Sequence, residues 1–420
     1  MTMLAPLRPV AGNSFDVAWI RREFPVFERN PGLVFLDTAA SAQKPRSVID
    51  GIAEFYRSDY ANVHRGVYGL SARSTARFEG ARETVRRFLN AADVSEIVFV
   101  RGATEGLNLV AQSWGATFLK PGDQVLLSAL EHHSNIVPWQ QLRDRLGLEL
   151  VIVPLDSSGG LDVAAFERLL TPRTRLVAIT HIANVTGHVV PAAALVRLAH
   201  ARGAKILLDG CQAVPRLPVD VQALDCDFYV LSGHKCYGPT GIGVLYAKRA
   251  ILDAMPPWQS GGDMITTVTF ERTTYQEPPQ RFEAGTPDIS GAIGLALALD
   301  FMDQVGRTTI RDHEQALTRY ARDRLATMPG VSVVGAGSEC LGVVSFTVDG
   351  VHPHDLATIF DQSNVAIRAG HHCAQPLMDT LGLAATARAS FGIYSDESDV
   401  DALVTAIRAA QRLFDRPVQG

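Results

Sequence analysis

Two stretches of this chain combine residue types that can do chemistry. The first, Leu231–Gly243, reads Leu-Ser-Gly-His-Lys-Cys-Tyr-Gly-Pro-Thr-Gly-Ile-Gly, and lies between the apolar β-type runs Asp227–Leu231 and Ile242–Tyr246. Ser232 and His234 flank Lys235, and Gly233, Gly238, Gly241 and Gly243 let the backbone approach a ligand closely. Lysine is scarce here, with five residues among 39 Lys and Arg, so Lys235 is not default surface filler. By itself the stretch also reads as a Gly-rich connector with one solvated lysine. Upstream, Lys-Ile-Leu-Leu-Asp-Gly is a buried-strand pattern ending in Asp209. A carboxylate at the carboxyl end of a parallel strand faces the crevice where open α/β sheets bind ligands. A lysine and such a carboxylate together suit pyridoxal phosphate. The amine forms a Schiff base, and the acid keeps the ring nitrogen protonated so that the ring can take up electrons. Alone, Asp209 is equally a cap or turn former.

The second stretch is Ile367-Arg-Ala-Gly-His-His-Cys-Ala-Gln-Pro376. Cys373 has Arg368, His371 and His372 nearby in sequence, and such neighbours favour thiolate over thiol. A free cysteine is more often a small buried hydrophobe, but these flanks are polar. Arg388 is an isolated cation within an apolar strand, suited to a carboxylate of a ligand or of a neighbouring acid. Gly102-Ala-Thr-Glu-Gly106 joins a strand end to a helix start, where its amides and the Thr104 hydroxyl could hold a phosphate. No Walker-type Gly-x-x-x-x-Gly-Lys is present, and Thr104 could instead be an ordinary N-cap. Glu131-His-His-Ser-Asn135 offers a ring to stack on a cofactor, two metal ligands without a third at familiar spacing, or two solvated histidines. Ile179–Asn184 and Cys211-Gln212 add polar groups at further strand ends.

The elements needed to position these groups follow from periodicity. From Ile97 onward strands and helices alternate, which predicts a mostly parallel sheet covered on both faces, an α/β domain. After the long helices expected over Ser290–Val305 and Thr308–Met328 the cadence changes, predicting a smaller α+β domain. The expected division is a loose tail over 1–13, a segment over 14–33 packing on the small domain, a large domain over 34–299 and a small domain over 300–420. With 420 residues and 47% hydrophobic content the chain can bury a large core. A net charge of −5 without a basic block argues against nucleic acid, and the apolar runs are too short to span a bilayer. Five scattered cysteines without a Cys-x-x-Cys pair point to a reducing cytoplasm rather than a disulfide scaffold or zinc site. The start of the chain lacks a secretory pattern.

Taken together, Gly-Ala-Thr-Glu-Gly, Glu-His-His, Asp-Gly-x-Gln, Ser-Gly-His-Lys-x-Tyr-Gly-Pro-Thr-Gly, Arg-Phe-Glu-Ala-Gly-Thr-Pro and Arg-x-Gly-His-His-Cys resemble the cysteine desulfurases of the SufS/CsdA group, within the class-V aminotransferases. The resemblance runs from about Val17 to the C-terminus with the motifs in order. It implies fold type I of the pyridoxal phosphate enzymes, a homodimer, and sulfur transfer from L-cysteine into iron–sulfur cluster assembly. It further implies that Lys235 is the Schiff-base lysine, Asp209 the partner of the pyridine nitrogen and His132 the ring stacked on the cofactor, placed also to manage the substrate thiol proton. Gln212 would contact the phenolic oxygen, with Asn184 near it and near the substrate carboxylate. Ala103, Thr104, Ser232 and His234 would hold the phosphate, joined by Thr286 from the second subunit. Arg388 would grip the substrate carboxylate with Arg368 in support, and Cys373 would take the sulfur as a persulfide, leaving alanine. Cys211 stands where the pattern commonly has Ala, and Ser260 where a Gly is frequent. The cysteine loop lacks the long insertion of the IscS/NifS group, which implies slow turnover until an acceptor of SufE, CsdE or SufU type takes the persulfide. Three rival readings remain at this level: a selenocysteine lyase or other class-V enzyme, a metal-dependent hydrolase on His132, His133, His371, His372 and Cys373, and a sulfur-relay scaffold.

Overall fold

The computed structural model describes residues 15–335, 337 and 339–414; the tail expected over residues 1–13 lies outside them. A short strand, β1 (Val34–Phe35), stands apart from seven that form the central sheet: β2 (Ile97–Val100), β3 (Gln124–Ser128), β4 (Glu149–Val153), β5 (Thr174–Thr180), β6 (Lys205–Asp209), β7 (Phe228–Ser232) and β8 (Gly243–Ala247). Their spatial order is β2-β8-β7-β6-β5-β3-β4. The pairs from β7 to β4 are parallel, and only β8 runs against both its neighbours. Strands β3, β7 and β8 are buried at every position, which is why they read as continuous apolar runs rather than alternating ones. The helices between them cover the two faces, and each face has its own apolar core.

The carboxyl ends of the parallel strands carry Ser128, Thr180, Asp209 and Ser232. All four ends open on one side of the sheet, so the side chains of the following loops converge there.

Beyond the sheet, β9 (Ile265–Val268) and β10 (Thr273–Tyr275) form an exposed hairpin that the sequence did not signal. With most positions on both faces in solvent, no apolar alternation marks it. The C-terminal part holds an antiparallel sheet of β11 (Val331–Val333), β12 (Val343–Val348), β14 (Arg368–Gly370) and β15 (Thr386–Ser390), in the order β11-β12-β15-β14, and β13 (Val365–Ala366) pairs in parallel with β1. The N-terminal segment reaches the same region. Arg21 pairs with Asp399 at 3.0 Å, and Phe24 packs edge-on against Tyr394. Asp16 caps the first helix through the Trp19 N–H. The first helix ends at Arg22, and Pro25 opens the next, Pro25–Arg29, where its missing N–H costs nothing. Among the described residues no single helix is long and apolar enough to cross a membrane; a pair that passes only together, Ile289–Val305 and Arg307–Ala326, is bent by 76°.

Candidate active site

A cavity of about 170 Å3 opens at the strand ends, lined by residues from both motif stretches, among them Lys235, Asp209, His132, Gln212, Asn184, Arg388 and Cys373. Ala103, Thr104, Ser232, His234 and Arg368 line it too, so the structure brings together every expected site residue except Thr286. Thr286 lines a separate groove with Arg101 and Trp258; the resemblance assigns it to the site of a second subunit.

Lys235 ends a single 3-10 turn, Gly233–Lys235, between β7 and β8. The turn is tightly seated. The Gly233 N–H donates to Ile242 O at 2.9 Å, and the His234 carbonyl accepts from Ala42 N at 3.0 Å and Lys44 Nζ at 3.1 Å. A Cβ on Gly243 would lie 2.5 Å from Gly102 Cα, so only glycine lets the two loops approach. Burial lowers Lys44 to about 8 and His234 to about 4, the latter also opposed by the Lys235 charge.

His132 is held as a neutral ring. Its Nδ1 accepts from the Ser134 N–H at 3.1 Å, which places the ring proton on Nε2, and burial followed by the Lys235 charge lowers it to about 4. Behind it, Glu131 is buried and accepts from Ser128 Oγ, Asn135 Nδ2 and the Thr180 N–H. Burial pushes this carboxyl up to about 7 despite those donors. Asp209 is buried at the end of β6, where Oδ1 accepts the Cys211 N–H at 2.9 Å. Ser232 Oγ accepts from the Ala103 N–H at 2.9 Å, and Thr104 Oγ1 shares a hydrogen bond with Ser134 Oγ at 2.8 Å. Ser134 was not singled out from the sequence; its place directly after the histidine pair, in the turn His133–Asn135, was the available signal.

The cysteine loop approaches from the other side. His372 and Cys373 both have left-handed backbone, with φ of 53° and 57°, which non-glycine residues rarely adopt outside constrained sites. Long-range bonds hold them there. The His133 N–H donates to Cys373 O at 2.8 Å, the Gln375 N–H donates to His133 Nε2 at 2.9 Å, and Asn184 Nδ2 donates to His372 O at 2.7 Å. His133 is therefore an anchor of the loop rather than a solvated ring or a metal ligand. His372, expected beside the thiol, turns away to Thr386, with Nε2 2.9 Å from its hydroxyl; burial lowers it to about 3. Arg368 stays close, with Nη2 3.9 Å from Cys373 Sγ. Arg388 is buried, donates to Asn184 O at 2.9 Å and pairs with Asp37 at 3.2 Å. Burial lowers it to about 10, against the pull of Asp37. Cys211 lines the cavity, but burial pushes its thiol well above the usual range.

No group of three or more His, Cys, Asp or Glu side chains that could hold a metal ion occurs among the described residues. The donor set does fit pyridoxal phosphate. It has a lysine amine, a buried carboxylate, a neutral flat ring, an amide, and hydroxyls at the start of the helix Ala103–Val110.

The comparisons with known proteins agree with this geometry. The family model for aminotransferase class-V matches residues 34–403. A cysteine desulfurase of Escherichia coli O127:H6 is 49% identical over 405 residues, covering 96% of this chain and all of the relative. The crystal structure of the Escherichia coli cysteine desulfurase CsdA superposes with a TM-score of 0.89 at 41% identity, covering 96% of this chain and all of that one. The apo structure of a cysteine desulfurase from Thermococcus onnurineus gives a TM-score of 0.89 at 37% identity over 94% of this chain and 98% of that one. The chain belongs to the class-V aminotransferase family, within it to the cysteine desulfurases of the SufS/CsdA group, and it has fold type I of the pyridoxal phosphate enzymes.

Proposed function

We propose that this chain is a pyridoxal phosphate-dependent cysteine desulfurase that converts L-cysteine to L-alanine and carries the sulfur as a persulfide on Cys373. The observation that carries the reading is the placement of Cys373 at the same cavity as Lys235 and Asp209, in a loop tethered by His133 and Asn184. A transaminase would need no thiol there. When bound, the cofactor supplies an electron sink for the charge that develops at the substrate Cα.

The chain's own residues do the rest. Lys235 would hold the cofactor through its amine, and the same Nζ is the base placed to take the substrate Cα proton. Asp209 would hold the proton of the pyridine nitrogen and His132 would lie against the ring, with its Nε2–H available to the substrate thiol. Ala103, Thr104, Ser232 and His234, with Thr286 of a second copy, would hold the phosphate. Arg388, supported by Arg368 and Asn184, binds the substrate carboxylate, and Asp37 fixes the guanidinium until substrate arrives. The Cys373 thiolate attacks the substrate sulfur, so that the carbon–sulfur bond breaks as a sulfur–sulfur bond forms, and the carbon skeleton leaves as alanine after taking up protons.

Two such chains would form the working homodimer, residues 34–299 serving as the cofactor domain and 300–420 as the small domain. A SufE-, CsdE- or SufU-type protein would accept the sulfur for iron–sulfur cluster assembly. The five scattered cysteines, without a Cys-x-x-Cys pair, support a reducing, cytoplasmic setting. Alanine release from L-cysteine by the purified protein with excess thiol reductant tests the reading. Alanine from the wild type that disappears in Cys373→Ala, with the cofactor still bound, is expected; equal release from that variant refutes the persulfide role.

A further inference from the structure

Behind Gln212 lies a buried ion pair that no step above uses. The side chains of Arg216 and Glu314 are each 1% exposed and meet at 3.0 Å through Nε and Oε2. Such a pair costs desolvation that a well-packed apolar pair would not. Nor is it well satisfied. Arg216 Nε and both Glu314 oxygens lack a partner in hydrogen-bonding alignment, and burial raises Glu314 to about 7 against the pull of Arg216. Cys236, Tyr237 and Tyr394, also within reach of the Arg216 charge, are kept neutral by burial. Room for the guanidinium exists only because residue 342 is glycine. A Cβ there would fall 1.9 Å from Arg216 Nε.

The aligned bonds of Arg216 go to the site instead. Nη1 donates to Gln212 O at 3.0 Å and to Gln212 Oε1 at 2.9 Å. At its other end the same amide donates from Nε2 to Ala39 O at 2.8 Å. A guanidinium can only donate and a carbonyl can only accept, so both neighbours select one orientation of the amide. We infer that Arg216, seated by Glu314, is a positioning residue that locks Gln212 with its NH2 group on the cavity side, available to the phenolic oxygen of the cofactor. This rests on the cofactor reading above and adds to it residues outside the site. Glu314 belongs to the helix Arg307–Ala326, and Arg216 Nη2 also reaches Phe391 O at 3.4 Å just beyond β15, so the C-terminal part of the chain sets the state of an amide in the cavity.

The test is a pH titration of the visible absorption of lysine-bound cofactor in the holoenzyme, with thermal unfolding as a control for folding. Because R216M alone would strand Glu314 without a counter-charge, R216M/E314M removes the pair together. R216K keeps the charge but lacks the fork that spans Glu314 and Gln212 at once. Both variants are expected to bind cofactor and to titrate at higher pH, R216M/E314M by about one unit, since an anionic phenolic oxygen that has lost a donor holds the neighbouring proton more tightly. Q212A should show a shift at least as large, and R216M/E314M should add nothing to it, because the pair acts through the amide. A wild-type midpoint in both pair variants, or a shift that adds fully to that of Q212A, overturns the inference and leaves the pair structural. A wild-type protein that takes up no cofactor would overturn the cofactor reading itself, and this inference with it.

Discussion

The turn that carries Lys235 is seated chiefly in the central sheet, with the Ala42 N–H and Lys44 Nζ adding bonds to its His234 carbonyl. It joins two adjacent buried strands, its Gly233 bonds to Ile242, and Gly243 packs against Gly102. The turn that carries Cys373 closes on residues far away in the chain, with separations of 242 for His133 and Gln375 and 188 for Asn184 and His372. It also holds two consecutive residues in left-handed backbone, a conformation that persists only where surrounding bonds impose it. The lysine is thus fixed by the sheet, whereas the cysteine is fixed by tethers that can be cut singly. A persulfide has to travel from the substrate to an acceptor, so adjustability on the thiol side is consistent with the chemistry.

The contrast can be broken at either end. Lys235→Ala should have the largest effect: alanine release should fall on the order of 10^4-fold and the visible absorption of lysine-bound cofactor should vanish. An unaltered spectrum in that variant would sink the assignment of the lysine. Asn184→Ala leaves the His372 carbonyl without its donor. Hydrogen exchange at the His133 and Gln375 amides should quicken about 30-fold, the equivalent of about 2 kcal/mol, while the amide of Gly233 in the lysine turn keeps its rate. Equal acceleration in both turns would erase the distinction drawn between them. His133→Ala removes only the acceptor for the Gln375 N–H, and the expected change there is about 5-fold.

The smallest effect is one of pH on the cofactor-free protein. His132, His181 and His234 are lowered by burial to about 4 and His372 to about 3, so between pH 6.5 and 4 the unfolded chain binds protons that the folded one refuses. Stability from these groups is complete above pH 6.5 and is lost as pH falls through that window. Glu131 and Glu314, raised to about 7, act with the opposite sign over nearly the same range, since the folded chain keeps their protons. Four groups against two predict a thermal unfolding midpoint that falls from pH 6.5 to 5. A midpoint that rises on acidification would contradict the neutral state assigned to the histidines.

These differences also explain what could be read from the sequence. Lys235 and Asp209 sit at the ends of continuous apolar runs, so strand, turn and residue type coincide in one local pattern. The anchoring roles of His133 and Asn184, and the turn of His372 inward to Thr386, depend on bonds between distant segments and leave no local mark. The Arg216–Glu314 pair was equally silent, since each residue alone looks like a solvated charge on an amphipathic element. The helix Gln375–Leu381 is short and has proline in its first turn, so it reads as the tail of a loop.

Strand β8, the one reversed member of the central sheet, has a consequence for how the chain can vary in length. Because β7 and β8 are adjacent and lie inside the sheet, extra residues in the lysine turn would have to be accommodated between two paired strands that are buried on both faces. Strand β14, which leads into the cysteine turn, is at the edge of its sheet, and the helix that follows is only seven residues long. Added chain there can loop outward without displacing a ladder. Of the two turns, the one that carries the thiol is therefore the one that can change in length without disturbing a strand ladder.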